Sequence, residues 1–278
     1  MSPDFQLPPK YFQPGRHWPW RALLAAAFLG LATAAGQAAS APVLRLEIGP
    51  EVDSFHYREP GLMKEDGLLY GGFASLTAIF QSNLVWKVGG SLAGGILRYD
   101  VQTMDGEPVQ VNTQDWLLDL RTSLGYKWNM FMPFAGFGLR YWSDNLGANS
   151  PSGYKRETTY LYSPVGLEIS RTFAADWTLG ASAEFDIFWA GFNRNTDFPG
   201  AGNTTLNFRQ HSGYGAKASV FLEYSMTRVL GLRVEPFLQY WDIGKSEERG
   251  LVTSDGTFTV FEPANTTTLY GLRAALGW

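Results

Sequence analysis

The chain has 278 residues, of which 45% are hydrophobic, 15% aromatic and 17% charged, and its formal net charge is −4. This aromatic content excludes an intrinsically disordered chain, and the lack of a basic excess argues against nucleic-acid binding. The sequence has no Cys and three His residues. The absence of Cys excludes disulfides, Cys-ligated zinc and thiol nucleophiles.

Residues 1–38 are predicted to form a signal peptide with an unusually long N-terminal region. Basic residues precede an apolar stretch at 22–35, which is shorter than the roughly 20 residues of a membrane-spanning helix. Small residues follow, as in a signal-peptidase site. We therefore expect cleavage after Ala38 and a mature domain at 39–278. A helical N-terminal anchor is the alternative.

From residue 43 onward, apolar and polar side chains alternate with the period of two that is typical of β-strands. In the first segment, Leu44, Leu46 and Ile48 alternate with Arg45 and Glu47. Ten strands are predicted in this way, at about 43–57, 67–80, 85–103, 116–128, 131–145, 158–172, 178–195, 213–226, 232–246 and 267–278. Short connections, at 81–84, 129–130, 173–177 and 227–231, alternate with long polar ones, at 58–66, 104–115, 146–157, 196–212 and 247–266.

This pattern predicts an all-β fold, and more specifically a transmembrane antiparallel up-and-down β-barrel of about ten strands, with eight or twelve as alternative counts. A soluble β-sandwich or lipocalin-like barrel has the same periodicity. The signal peptide, the alternating connection lengths and aromatic residues near the strand ends favour the membrane barrel, in which aromatics form interfacial girdles. These aromatics are Tyr57, Tyr70, Trp86, Tyr99, Trp116, Trp128, Tyr141, Trp142, Trp177, Trp189, Tyr240 and Trp278.

Residues 43–278 resemble the outer-membrane β-barrel proteins of Gram-negative bacteria, including the porin-like and OmpA-like families. The stretch from Leu269 to Trp278 is similar to the C-terminal strand signal read by the barrel-assembly machinery, although that signal usually ends in Phe. The resemblance implies location in the outer membrane of a Gram-negative bacterium. It also implies membrane lipid, lipopolysaccharide and, through Trp278, the assembly machinery as partners. A count of ten strands is most similar to the omptins.

Omptins are proteases in which a pair of Asp residues faces an Asp–His pair at the rim. Asp53 lies three residues before His56, and the nearest acid before His211 is Asp197; these spacings do not match the omptin pattern. His211 is adjacent to Ser212, so the two are expected to point to opposite faces of a strand. This differs from outer-membrane lipid hydrolases, in which the Ser follows the His by two residues. We therefore predict no catalytic, cofactor-binding or metal-binding residues.

Charged residues recur on the polar faces of the predicted strands. The candidate lumen charge network comprises Arg45, Glu47, Asp119, Arg121, Arg140, Glu168, Glu184, Asp186, Lys217, Glu223, Arg233, Glu235 and Arg273, with Glu51 and Asp53 on the same faces. Because a ten-stranded barrel encloses little more than side chains, we expect these charges to pair and plug the lumen. A narrow, weakly cation-preferring pore is the alternative.

Cations near the predicted long loops are interpreted as solvated loop charges, with contact to lipopolysaccharide phosphates as the alternative. They are Lys155, Arg156, Arg194, Arg209 and Arg249. The sequence thus predicts a non-enzymatic outer-membrane barrel with a structural or surface-interacting role, or a minor narrow pore. The alternative function is that of an omptin-like protease or lipid hydrolase whose site the sequence pattern does not reveal.

Overall fold

The computed structural model of the chain describes residues 41–102, 108–148, 153–197, 204–253 and 256–278. The predicted signal peptide, residues 1–38, lies outside these ranges, so its cleavage stays a prediction. Among the described residues, no helix is long and apolar enough to cross a membrane.

The alternating segments form long antiparallel strands, with one turn of 3₁₀ helix at Leu146–Ala148. The strands are β1 (Val43–Glu59), β2 (Met63–Ile79), β3 (Leu84–Gln102), β4 (Pro108–Tyr126), β5 (Phe131–Asn145), β6 (Lys155–Ala174), β7 (Trp177–Thr196), β8 (Leu206–Gln210), β9 (Gly213–Ser225), β10 (Gly231–Ile243), β11 (Arg249–Thr253), β12 (Gly256–Val260) and β13 (Asn265–Gly277). The β1–β13 and β6–β7 pairings complete a ring. The prediction of a closed antiparallel barrel of ten strands is confirmed.

Strands β8 and β9 together form one strand of the barrel, interrupted at His211 and Ser212. Both pair with β7, β8 along 191–195 and β9 along 177–187. Next to this break, the register of β7 against β6 shifts between Leu161 and Tyr162, as in a β-bulge. Strands β11 and β12 form a separate hairpin in the connection between β10 and β13.

Several strands begin or end further into the long connections than the alternation predicted. The predicted loop 58–66 is mostly strand, because β1 continues to Glu59 and β2 begins at Met63. Similarly, β4 begins at Pro108 and β6 at Lys155. In these stretches both faces carry polar residues, so the hydrophobic alternation stops. Pairing continues nevertheless, because the ladder joins backbone groups whatever the side chains are.

An apolar band covers the outer face of the barrel. Leu120, Leu222 and Leu272, which the alternation places on the lipid face, are 45%, 39% and 51% exposed. A surface of this kind is stable against hydrocarbon rather than water. At the end with the long connections, which is extracellular in membrane barrels, the band ends at exposed aromatic residues. They include Tyr70, Trp116, Trp189 and Tyr270, and we place the outer ends of the spanning segments there.

Three of the predicted girdle residues, Tyr57, Tyr99 and Trp142, lie inside the barrel instead. The strands continue past them, and their place in the alternation puts them on the lumen face. We refer to the buried cluster that they form as the lumen core, which comprises Phe55, Tyr57, Leu69, Leu97, Tyr99, Leu117 and Trp142. Its side chains fill the barrel towards its extracellular end.

Candidate functional site

Charges of the predicted lumen network pair across the interior of the barrel. Arg121 of β4 lies 2.8 Å from Glu184 of β7, and Lys87 of β3 lies 2.7 Å from Glu168 of β6. These strands are not neighbours in the ring, so the side chains meet across the lumen. Further ion pairs join Arg45 to Glu47 and Glu223, Arg233 to Glu47 and Glu235, and Arg273 to Glu51.

Other members of the network have different partners. Arg140 donates to Gln239 and Asp119 accepts from the Tyr162 hydroxyl, whereas the Lys217 ammonium lies over the Phe237 ring. Asp186 of the network, and Asp53 on the same faces, have buried carboxyl oxygens without a hydrogen-bond partner among the described residues. The network therefore consists of one connected group around Arg45, Glu47 and Arg233, further separate pairs, and groups without an ion-pair partner.

The space inside the barrel decreases from the periplasmic end towards the extracellular end. A cavity of about 690 Å³ lies at the short-turn end and is lined in part by Lys87 and Glu168. A smaller cavity of about 140 Å³ lies deeper, next to Arg121 and Glu184. Beyond it the lumen core fills the barrel, so both cavities lie on the periplasmic side of the lumen core.

A second group of charges surrounds Arg156 at the extracellular end of the lumen. The guanidinium lies 2.7 Å from Glu59 and 3.2 Å from both Asp144 and Glu262, and Glu65 is 3.7 Å away. With Asp115, these residues form what we call the rim cluster. It combines five carboxyl groups with one guanidinium, so arginine alone does not neutralise it.

The expectation that Arg156 is a solvated loop cation was wrong. Its side chain is 2% exposed, because β6 already begins at Lys155 and places the next residue on the lumen face. The guanidinium lies 5.0 Å from the centre of the Tyr57 ring and 4.8 Å from that of Trp142. Arg194 and Arg249 are 60% and 52% exposed, as expected of solvated charges, although they lie in β7 and β11 rather than in loops.

The contacts of Thr113 indicate that a bound proton neutralises part of the excess negative charge in the rim cluster. Its hydroxyl oxygen lies 2.7 Å from Glu65 Oε1 and 2.6 Å from Asp115 Oδ1. A hydroxyl has one hydrogen to donate, so the second contact requires a proton on a carboxyl group. Burial and the charge of Asp144 raise the pKa of Asp115 to about 7 and that of Glu65 well above its usual value. The pair thus retains a proton where free carboxyl groups have lost theirs.

The same part of the rim cluster has the geometry of an oxygen-ligand site. One oxygen each from Glu65, Asp115 and Asp144 lies within 4.8 Å of the others. Carboxylate oxygens in such a group are suitable ligands for a divalent cation. Among the described residues, these are the side chains that could hold a metal ion.

The free energy of unfolding is expected to fall as the pH rises from about 4 to about 7. The folded pKa of Asp115 exceeds the unfolded value, so in this range the folded state binds a proton that the unfolded state has lost. Each such proton costs about 1.4 kcal/mol of stability per pH unit. Urea unfolding in lipid vesicles between pH 4 and 8 measures this slope, and Asp115→Asn should reduce it.

Asp100→Asn is the matched control, because Asp100 pairs with exposed Arg98. Desolvation would raise the pKa of Asp100, but its hydrogen bonds with Gln110, Arg98 and Lys64 together outweigh this effect and lower it. It therefore titrates below this pH range. Identical slopes for Asp115→Asn and the wild type would contradict the raised pKa.

A third group, on the outer face of the β1–β2 hairpin, joins a hydroxyl, an imidazole and a carboxylate. His56 Nδ1 lies 2.7 Å from Asp66 Oδ1, and His56 Nε2 lies 2.9 Å from Ser54 Oγ. Ser54 and His56 are two residues apart in β1 and so share a face, and Asp66 is the register partner of His56 in β2. The predicted connection 58–66 includes Asp66, whereas β2 begins at Met63 and brings Asp66 opposite His56.

Neighbouring residues lower the pKa of the Asp66 carboxyl group and pack against the His56 ring. Partial burial would raise the pKa of Asp66, but hydrogen bonds from Arg58 and His56 outweigh this effect and hold it below the ordinary value. The Tyr270 ring packs edge-on against His56, with ring centres 5.8 Å apart. His211, by contrast, is 62% exposed and contacts Glu247 at 3.3 Å.

Comparison with known proteins identifies the fold. No protein-family model matches the chain, and no curated protein matches it. The outer-membrane protease OmpT from Escherichia coli has a TM-score of 0.55 at 10% identity, over 86% of this chain and 96% of that chain. The translocator domain of the autotransporter NalP from Neisseria meningitidis has a TM-score of 0.41 at 12% identity, over 91% and 95%. The chain therefore has the fold of an outer-membrane β-barrel, with ten strands and omptin-like topology.

Proposed function

We propose that this protein is an outer-membrane barrel whose interior is a structural plug rather than a passage for solutes. The observation that carries this proposal is the rim cluster. Arg156 of β6 contacts Glu59 at the end of β1, Asp144 of β5 and Glu262 before β13. Contacts from these separate parts of the ring close the lumen at its extracellular end.

The lumen core supports the same function. Phe55 and Leu97 are fully buried and Trp142 is 5% exposed, in a part of the barrel where a channel would need hydrated walls. Below it, Arg121 and Glu184 pair across the lumen rather than lining an open path. A narrow pore would need these paired charges to separate. With the lumen plugged, the barrel would interact with other molecules through its outer face and its extracellular end.

Conductance across a planar lipid bilayer tests the plug. The wild-type barrel is expected to give no step-like openings in 1 M KCl, because ions would have to displace the rim cluster and the lumen core. Trp142→Ala removes the largest ring of that core and should increase the leak. Discrete, cation-selective openings of the wild type would contradict the plug and support the narrow pore.

A further inference from the structure

Ser54, His56 and Asp66 have the arrangement of a nucleophile, a general base and an orienting acid. Asp66 is an acceptor when ionised, so His56 donates through Nδ1 and its Nε2 accepts from the Ser54 hydroxyl. The two contacts, 2.7 Å and 2.9 Å, lie within the range for a serine activated by histidine. We propose that these residues form a hydrolytic site that cleaves acyl esters of lipids in the outer leaflet of the membrane.

The site is built on paired strands rather than on a loop. The β1–β2 ladder runs without a register shift from Val43–Ile79 to Glu59–Met63. Ser54 faces Leu68 in β2 and Tyr270 in β13, so strands support it on both sides. Sites on regular elements are held more precisely than sites on loops, and the Tyr270 ring limits rotation of the His56 imidazole.

The position of the site indicates its substrate. Ser54 lies level with Leu68 and Tyr270, which are 46% and 57% exposed at the outer edge of the apolar band. The ester bonds of membrane lipids lie at the same boundary, between the acyl chains and the head groups. A soluble peptide would have to enter this boundary, whereas a lipid already occupies it.

Basic side chains on the same outer face favour an anionic lipid. Arg58 lies 2.7 Å from Asp66, and Lys64 and Arg98 both contact Asp100. These three cations are 42%, 45% and 54% exposed, so they remain accessible to a phosphate group. They lie on the extracellular side of Ser54, where the phosphorylated head groups of the outer leaflet are found.

The reaction follows from the two hydrogen bonds. Ser54 Oγ attacks the ester carbonyl carbon while His56 Nε2 accepts the hydroxyl proton, and Asp66 stabilises the imidazolium. The carbon–oxygen bond to the lipid alcohol breaks, and the alcohol leaves with the proton from His56. Water then attacks the acyl-Ser54 ester with His56 again as base, which releases the fatty acid and restores the serine. The net reaction consumes one ester and one water and gives one acid and one alcohol.

Hydrolysis by the purified full barrel tests this site. The barrel is reconstituted in vesicles of phosphatidylethanolamine and phosphatidylglycerol, or in vesicles that also contain lipopolysaccharide, and released fatty acid is measured. Labelling by a fluorophosphonate, which reacts with activated serines, is measured in parallel. Wild-type protein should show both activities, and Ser54→Ala and His56→Ala should each lower hydrolysis by about 10³-fold or more.

Ser163→Ala and His211→Ala are the matched controls, since both residues lie outside the site, and they should keep wild-type rates. Heat-modifiable migration in gels confirms that each variant is folded. Asp66 is a positioning residue, so Asp66→Asn should lower kcat with little change in KM, and Asp66→Glu should restore part of kcat. The vesicle composition from which fatty acid is released identifies the lipid substrate.

Absence of fatty-acid release from both vesicles, or labelling that persists in Ser54→Ala, would overturn the proposal. Neither result bears on the plug, which is tested by conductance.

Discussion

Replacement of Arg156 by Met should lower the free energy of unfolding by about 3–5 kcal/mol at pH 7, the cost of leaving a buried charge partner unpaired. Met preserves much of the side-chain volume, so the decrease in the free energy of unfolding reflects the removal of the positive charge. Without the guanidinium, Glu59, Asp144 and Glu262 lose contacts of 2.7 to 3.2 Å inside the lumen. Urea unfolding in vesicles, followed by tryptophan fluorescence, measures the change.

Two comparisons separate this effect from a general loss of positive charge. Arg98→Met removes an exposed cation that also pairs with an aspartate, and surface pairs of this kind contribute about 1 kcal/mol or less. The loss in Arg156→Met should also be smaller at pH 4 than at pH 7, because burial raises the pKa of Asp144 and of Glu262 and the lower pH favours their neutral forms. An equal effect of the two variants at both pH values would contradict the central role of Arg156.

Replacement of Leu120 by Arg should destabilise the folded barrel in lipid by about 2–4 kcal/mol, the cost of a cation on the lipid face near the bilayer midplane. Leu222→Arg and Leu272→Arg should act in the same direction, with smaller effects for positions nearer the interfaces. All three side chains lie in the outward apolar band. Reversible folding titrations into vesicles give the free energies.

Val252→Arg is the control for the added charge, since Val252 is 67% exposed in the β11–β12 hairpin, outside the spanning segments. It should change the free energy of unfolding by less than about 0.5 kcal/mol. If Leu120→Arg were equally harmless, the assignment of the lipid and lumen faces would be reversed.

The barrel itself could be predicted from the sequence because its main signal is local. Two-residue alternation places Leu120 and Arg121 on opposite faces without any knowledge of strand partners, and the membrane-barrel interpretation then predicts that Leu120 faces outward. The same signal failed at Tyr57 and Arg156, where both faces of the strand are polar or aromatic. Their surroundings depend on pairing that continues beyond the apolar band, which local hydrophobicity does not report.

The outer-face site was missed for a related reason. A search for acids close in sequence to His56 finds Asp53, which points into the lumen, whereas Asp66 becomes its neighbour through the hairpin register. A turn centred near Gly61, whose φ is 76°, would have been a usable signal. Pairing β1 and β2 around that turn places residue 56 opposite residue 66.

The rim cluster also bears on the order in which the barrel assembles. Arg156 contacts Glu59 and Glu262, which are 97 and 106 residues away in the chain. Contacts this distant require closure of long loops, and folding is slower when such contacts dominate. Within the β5–β6 hairpin Arg156 already meets Asp144, its register partner, but its contacts with Glu59 and Glu262 form only when β6 meets the first strand and the segment before the last one. Arg156 is therefore expected to stabilise the closed barrel more than the partly assembled intermediates that precede it.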